Sequence, residues 1–115
     1  MNAADLRQRT CTPQQHALSA DEIADYSTAI PDWQLQDGKL VRQFDFKNYY
    51  ATLAFVNAIA YMAHTEDHHP ELVVTYNKCT VKYDTHSVNA GRGGLSSNDF
   101  ICAARIDALL DRAST

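Results

Sequence analysis

The fold of this chain is decided by residues 47–65, which read KNYYATLAFVNAIAYMAHT. Neither Gly nor Pro interrupts the segment, and its apolar residues recur at alternating steps of four and three, as on one face of an α-helix. The residues of this stripe are Tyr49, Leu53, Val56, Ala60 and Ala63. The pattern predicts a long helix from Lys47 to about Thr65, and the flanking segments must supply the surface that it covers.

Short segments on both sides of this helix are typical of β-strands. The predicted strands cover residues 33–36, 40–46, 72–76 and 79–86. The first two flank Asp37-Gly38, a dipeptide typical of tight hairpins, and the last two form a second hairpin around Asn77-Lys78. Strands joined by hairpins predict an antiparallel sheet.

Two further helices complete the pattern. Ser19 and Glu22 form a capping box, which predicts a short helix that runs to about Ala29. Ser96 follows a glycine-rich loop and can cap a last helix that runs to about Leu110. The inward-facing residues of this last helix should be Ile101, Ala104, Ala108 and Leu109.

The element order is therefore helix, two strands, helix, two strands, helix. It predicts an α+β two-layer sandwich, with a four-stranded antiparallel sheet and three helices on one face. Residues 1–17 are polar and unpatterned, with nothing to bury, and should form a flexible tail ahead of a single domain over residues 18–115. The edge strands of such a sheet are open to pairing with a second copy.

Composition excludes several classes of function. A formal net charge of −4, without clustered basic residues, argues against direct nucleic-acid binding. The three cysteines are far apart, which is unlike a disulfide framework or a cysteine-based zinc site. No apolar run is long enough for a membrane span, and no signal sequence is evident. We expect a cytoplasmic location, or also a nuclear one if the source is eukaryotic.

Four of the five histidines lie within a short stretch: His64, His68, His69 and His86. Histidine titrates near neutral pH, so the cluster indicates acid–base chemistry. Two alternatives stay open. Surface histidines also cluster by chance, and His64 with His68, one helical turn apart, could bind a metal together with His86.

Several motifs in this part of the chain resemble the pterin-4a-carbinolamine dehydratase family. They are His68-His69-Pro70-Glu71, Tyr76-Asn77-Lys78, Thr85-His86, Gly94-Leu95-Ser96 and Asp99, with Trp33 and Phe44-Asp45-Phe46-Lys47 upstream. The likeness extends from about Leu18 to Leu110. Two departures are that His64 stands where the family usually has Glu, and that the loop after His86 is longer. Glu66 or His64 could take over the role of that Glu.

The resemblance implies dehydration of 4a-hydroxytetrahydropterin to quinonoid dihydropterin, the hydro-lyase step of tetrahydrobiopterin recycling. The pterin is the substrate, and neither a metal nor a redox cofactor is implied. The general acid and base residues would be His68, His69 and His86. The substrate-binding residues would be Asp67, Pro70, Thr85, Ser87 and Trp33. Structural alternatives are a surface charge for Asp67, solvated hydroxyls for Thr85 and Ser87, and a core position for Trp33. Asp99 lies near a helix start, where it would favour the helix dipole.

The resemblance also implies partners. It implies a homodimer or homotetramer and a functional link to an aromatic amino acid hydroxylase such as phenylalanine hydroxylase. An alternative from another class is a protein-interaction scaffold, because some relatives act as dimerisation cofactors of a homeodomain transcription factor.

Overall fold

The computed structural model describes residues 1–113 of the chain. All predicted helices and strands occur in the predicted order, and an additional short helix precedes them. The elements are α1 (Ala3–Arg7), α2 (Ala20–Ser27), β1 (Gln34–Gln36), β2 (Lys39–Asp45), α3 (Tyr49–Glu66), β3 (Glu71–Val74), β4 (Lys78–Tyr83) and α4 (Ser97–Ala113), with one 3₁₀ turn at Asn89–Gly91. The predicted α+β class is confirmed.

The strands form one antiparallel sheet in the spatial order β1-β2-β4-β3. β1 and β2 meet at the predicted turn, where Asp37 and Gly38 both have positive φ angles, 52° and 77°, as a tight two-residue hairpin turn requires. Along β4, Cys79, Val81 and Tyr83 are fully buried, whereas the residues between them are only partly buried. This face of the sheet forms one core with the helices, as the two-layer prediction requires.

The buried face of α3 differs from the predicted one. Asn48 caps the helix by accepting a hydrogen bond from the Ala51 amide (2.9 Å). The buried residues of α3 are Thr52, Phe55, Ile59, Met62, Ala63 and Glu66. The predicted stripe is wrong in orientation, since only Ala63 of its members is buried and Tyr49 is 43% exposed. Apolar side chains occur all around this helix, so spacing alone cannot select its buried face.

No helix within residues 1–113 is long and apolar enough to cross a membrane.

Both strands of the second hairpin are shorter than predicted. β3 ends at Val74 and β4 ends at Tyr83. β4 cannot continue because Thr85 pairs with Gly94 instead, through two backbone hydrogen bonds of 2.8 and 3.1 Å. The prediction that this strand reaches His86 is therefore wrong, and His86 lies in the loop that follows.

α4 is the helix around which the others assemble. It begins directly after Ser96, continues three residues beyond the predicted end, and contacts α1, α2 and α3. Of its predicted inward residues, Ile101 and Ala104 are buried as expected. Ala108 and Leu109 are only half-buried, because they lie toward the end of the helix.

The N-terminal segment contributes to the core, against the expectation that nothing in residues 1–17 can be buried. α1 begins with a capping box between Asn2 and Asp5. It places Leu6, which is fully buried, in the core beside α4. One leucine among polar neighbours has no periodicity, so apolar spacing could not have indicated this helix.

Replacing Leu6 with Ala should lower the free energy of unfolding by about 2–4 kcal/mol, because it leaves a cavity beside α4. Urea denaturation followed by circular dichroism measures this change. Leu35→Ala in β1 is the matched control, because Leu35 is 53% exposed, and it should change the free energy by less than about 0.5 kcal/mol. Equal stability of Leu6→Ala and the unmodified chain would contradict the contribution of α1.

Candidate active site

A cavity of about 270 Å³ opens where the N-terminal segment crosses the end of α3 and the start of α4. We call residues 11–17 the N-terminal arm, and its first four residues form one wall. The lining residues are Cys11, Thr12, Pro13, Gln14, Glu66, Asp67, His68, Thr85, Ser87 and Asn98. Four larger hollows in the described part of the chain, of about 500–600 Å³, have no histidine or cysteine in their lining. The chemistry therefore favours the smaller cavity.

The cavity contains one end of a buried acid–base pair, His68 with Asp99. The Nε2 atom of His68 lies 2.5 Å from Oδ1 of Asp99. The side chain of His68 is 13% exposed and that of Asp99 is 0% exposed. A carboxylate removed from water needs hydrogen bonds or a positive charge to offset its lost hydration. His68 supplies a hydrogen bond and, when protonated, the positive charge as well.

Asp99 also joins three segments of the chain. Its Oδ2 atom accepts hydrogen bonds from the backbone amide of Ser96 and from the hydroxyl of Thr85, each at 2.9 Å. The hydroxyls of Thr85 and Ser96 lie 2.7 Å apart. One carboxylate thus holds three parts of the chain together: the end of α3, Thr85 after β4, and the start of α4.

The end of α3 determines how His68 is presented. Asp67 adopts a left-handed conformation with φ of 51°, which ends the helix, and the His68 amide donates back to the Ala63 carbonyl (3.2 Å). The imidazole stacks on the ring of Tyr83, with 5.2 Å between centroids. The Tyr83 hydroxyl donates to the His68 carbonyl (3.3 Å). Backbone and ring are therefore both positioned by the fold.

Opposing effects act on the pKa of His68. Burial lowers it, because the imidazolium loses hydration, and this is the largest single effect. The hydrogen bond and the negative charge of Asp99 raise it, with further contributions from Cys102 and Asp84. The effects that raise the pKa prevail together, so His68 keeps its proton to a higher pH than an ordinary histidine. That property suits a general acid at neutral pH.

The fold brings together four of the residues that the sequence assigns to the site, which are Asp67, His68, Thr85 and Ser87. His69 and His86 are not among the lining residues, and both are exposed. The side chain of His86 is 89% exposed, and its Nε2 atom lies 3.7 Å from a carboxylate oxygen of Asp84. Each of the two histidines nevertheless follows or precedes a lining residue directly in sequence.

Two other predicted site residues lie outside the cavity. Pro70 is half-buried and does not line it. Trp33 is 6% exposed and lies in the core, where its ring contacts Phe44 edge-on. The indole N–H donates to a carboxylate oxygen of Asp107 (2.9 Å). Trp33 thus occupies the core position that the sequence left open as its alternative.

The structure does not bring together the histidines that the alternative of a metal site would need. His64 lies exposed on α3 and His86 lies exposed in its loop. Within residues 1–113, no three side chains of His, Cys, Asp or Glu gather closely enough to hold a metal ion. His64 and His68 do not share a helix face, because α3 ends before it reaches His68.

Sequence reasoning missed the arm and the roles of three acceptor side chains. Glu66 accepts from the Cys11 amide (2.8 Å), so it anchors the arm. Asn98 accepts from the Thr12 amide (3.1 Å) and donates to its carbonyl (2.8 Å). Asp99 binds His68 besides lying in the first turn of α4. The Ser-x-x-Asp spacing of Ser96 and Asp99 is a pattern that can be recognised in the sequence. The contacts of the arm join residues far apart in the chain, so no local pattern predicts them.

Sequence comparison finds a matching family model and similar proteins. The family model described as pterin 4 alpha carbinolamine dehydratase matches residues 16–109. A protein of Bdellovibrio bacteriovorus is 56% identical over 109 residues, which are 95% of this chain and 91% of that protein. A protein of Nitrosomonas eutropha is 48% identical over 113 residues, 95% of this chain and 96% of that protein. Both carry the provisional name pterin-4-alpha-carbinolamine dehydratase.

Two solved structures share the fold. One, from Brucella melitensis, is described as a transcriptional coactivator/pterin dehydratase; it is 29% identical, with a TM-score of 0.74 over 82% of this chain and 98% of that chain. The other is described as a pterin dehydratase-like protein that is a RuBisCO assembly factor in the alpha-carboxysome. It is 26% identical, with a TM-score of 0.54 over 67% of this chain and 84% of that chain.

Proposed function

Because this chain belongs to the pterin 4 alpha carbinolamine dehydratase family, we propose that it dehydrates 4a-hydroxytetrahydropterin to quinonoid dihydropterin. This is the hydro-lyase reaction of a 4a-hydroxytetrahydrobiopterin dehydratase, which serves tetrahydrobiopterin recycling. The observation that carries the proposal is the bond of 2.5 Å between His68 and the buried Asp99 at the cavity. It gives His68 the raised pKa that a general acid for C–O cleavage needs near neutral pH.

In the proposed reaction, His68 protonates the 4a-hydroxyl. Asp99 holds the Nε2 atom, so Nδ1 is the ring nitrogen that faces the substrate and gives up its proton. The bond between C4a and oxygen breaks, and the hydroxyl leaves as water. A base removes a proton from the ring nitrogen system, which yields the neutral quinonoid product. Only protons and water move, so the chemistry requires neither a redox cofactor nor a metal.

We assign the base to His86 or His69. His86 precedes the lining residue Ser87, and His69 follows the lining residue His68. Their exposed imidazoles are accessible to a substrate that extends beyond the mouth of the cavity. Asp67 and Ser87 supply hydrogen-bonding groups for the polar edge of the pterin, since both line the cavity.

The location and the metabolic link follow from this reaction. An aromatic amino acid hydroxylase such as phenylalanine hydroxylase would release the substrate, and a separate reductase would consume the product. A cytoplasmic location agrees with three free cysteines, since a reducing compartment keeps thiols unpaired.

A second candidate function is that of a protein-interaction scaffold. The two solved structures of the same fold favour it, because one is described also as a transcriptional coactivator and the other as an assembly factor. Such a role would use exposed surfaces and would not need the proton transfer by His68. Measurement of dehydratase activity therefore separates the two candidates.

We also propose a homo-oligomer that pairs through the free edge of β3. This edge strand exposes Val73 (44%) and Val74 (38%), and Tyr76 (64%) follows it. The ring of Tyr76 stacks on that of Tyr49, with 6.3 Å between centroids, which extends the apolar surface onto α3. An exposed apolar edge of this kind favours pairing with a second copy.

Replacing His68 with Ala should lower kcat/KM for decay of the 4a-carbinolamine by at least about 10²-fold, because the general acid is lost. Stopped-flow absorbance measures the decay with and without the protein. His64→Ala is the matched control, since His64 is exposed on α3 outside the cavity, and it should keep the rate. His86→Ala should show a similar loss to His68→Ala if His86 is the base.

A wild-type rate in His68→Ala would contradict its role as the general acid, and a wild-type rate in His86→Ala would leave His69 as the base. No acceleration by the unmodified chain would contradict the dehydratase proposal itself and favour the scaffold role.

The pH dependence of kcat/KM should report the His68–Asp99 pair. The rate that depends on protonated His68 should fall as the pH rises through its raised pKa. Asp99→Asn should move this fall to lower pH, because the charge that raises the pKa of His68 is lost while burial, which lowers it, remains. The variant should also lose at least about 10-fold in kcat/KM. Asp45→Asn in β2 is the exposed control, and a profile of Asp99→Asn identical to that control would refute the role of Asp99.

Light scattering at micromolar concentration should give a mass above that of the monomer. Val73→Lys should lower this mass, because a charge on the edge of β3 opposes strand pairing. Leu35→Lys, on the opposite edge strand β1 and 53% exposed, should leave it unchanged. A monomeric mass for the unmodified chain would contradict the proposed oligomer.

A further inference from the structure

Two of the three free cysteines meet beside the cavity. The Sγ atom of Cys11 lies 3.5 Å from the Sγ atom of Cys102, although the residues are 91 positions apart in sequence. Cys11 is half-buried, belongs to the arm and lines the cavity. Cys102 is fully buried in α4. The third cysteine, Cys79, is buried in β4 within the core.

Cys102 lies close to the groups that position His68. It follows Asp99 by three residues, so both lie on neighbouring turns of one side of α4. The Tyr83 hydroxyl and the Cys102 sulfur are close enough to affect each other's pKa, and the ring of Tyr83 stacks on His68. A change at the Cys102 sulfur is therefore one side chain away from the imidazole.

Hydrogen bonds hold the segment on which Cys11 lies. Its own amide donates to Glu66 (2.8 Å), and the neighbouring Thr12 exchanges two hydrogen bonds with the Asn98 side chain. The Cys11 sulfur also lies 3.7 Å from the Asn98 carbonyl oxygen. These contacts keep the two sulfurs together in the reduced protein without any covalent bond.

We propose that Cys11 and Cys102 are a redox site, at which a low-molecular-weight disulfide oxidises the two thiols to an intramolecular disulfide. The bond would tie the arm to α4. Bonded sulfurs lie about 2 Å apart, so the cavity wall at residues 11–14 must move relative to its place in the reduced chain. The consequence for the cavity's activity rests on the proposed function, whereas formation of the bond does not.

The oxidation is a two-step thiol–disulfide exchange. Cys11, the more accessible sulfur, loses its proton and attacks one sulfur of the small disulfide; a mixed disulfide forms, and the first small thiolate leaves. The Cys102 thiolate then attacks the Sγ atom of Cys11 and expels the second small thiolate. Two protein thiols are oxidised, one small disulfide is reduced, and the two protons from the protein thiols are taken up by the two leaving thiolates.

The environment of the pair suits Cys102 for the closing step. In the reduced pair, the contact between the two sulfurs lowers the pKa of Cys102 and raises the pKa of Cys11. This effect ends once Cys11 is part of the mixed disulfide. Burial opposes the lowering at Cys102, while the positive charge of protonated His68 and the Tyr83 hydroxyl add to it. Cys11 is half-buried and Cys102 is fully buried, so Cys11 is the sulfur that an external disulfide can reach. In the closing step, the charge of protonated His68 favours the Cys102 thiolate.

The test uses the full-length protein with oxidised glutathione, followed by intact-mass measurement and peptide mapping without reduction. We expect loss of the mass of two hydrogen atoms, one peptide pair that joins Cys11 to Cys102, and reversal by dithiothreitol. Cys79→Ala is the matched control and should form the same bond, whereas Cys11→Ser should not. Glutathione adducts without an intramolecular bond, or a bond that involves Cys79, would overturn the proposal.

A second measurement tests the effect on the cavity. Oxidation should change KM for the carbinolamine by about threefold or more in the unmodified chain, because the wall is displaced. Dithiothreitol should restore the KM, and Cys11→Ser should give the same KM before and after oxidation. An unchanged KM in fully cross-linked protein would overturn the link to the cavity. A chain without dehydratase activity in either state would contradict the proposed function alone, and peptide mapping would still decide the redox site.

Discussion

The burial of the Asp99 carboxylate is the constraint on which the rest of the site depends. A carboxylate with no exposed surface is tolerated only where its oxygens are fully engaged. The three donors that engage it come from the ends of different elements, which are His68 after α3, Thr85 after β4 and the Ser96 amide before α4. None of these elements can shift without leaving a buried charge short of a donor. The orientation of His68 and the raised pKa of its imidazole are therefore properties of the tertiary fold.

Much of the fold follows from local patterns in the sequence. The capping box at Ser19 and the Asp37-Gly38 turn are decided by interactions among near neighbours, and both occur as predicted. The phase of α3 is decided by what packs against it, and a helix that is apolar all around gives no local indication of that choice. Leu6 is a similar case, since a single buried leucine has no pattern to reveal it. Local chemistry thus predicts the elements, and packing decides their faces.

In the candidate site too, local patterns in the sequence predict some residues, and others depend on the tertiary fold. His68 could be predicted because it belongs to a recognisable His-His-Pro step, and Thr85 and Ser87 because they flank a second histidine. The partnership of His68 with Asp99 spans 31 positions, and that of Glu66 with Cys11 spans 55. No spacing rule connects residues so far apart, so the sequence places Asp99 in the family motif and at a helix start but does not pair it with His68. For His86 the sequence predicted a position at the cavity that the structure does not show. The strand predicted to carry it ends at Tyr83, because Thr85 pairs with Gly94.

Gly94 explains why the arm and the buried carboxylate belong to one structure. A side chain at this position would place its Cβ atom 2.8 Å from the Cβ atom of Ala17, so only glycine lets the arm lie against the loop. The same residue pairs through its backbone with Thr85, and Thr85 donates to Asp99. Contact therefore runs without a break from the arm, through the glycine-rich loop, to the carboxylate that holds His68. The glycine-rich loop thus has a physical role, because it seats the segment that forms the cavity wall.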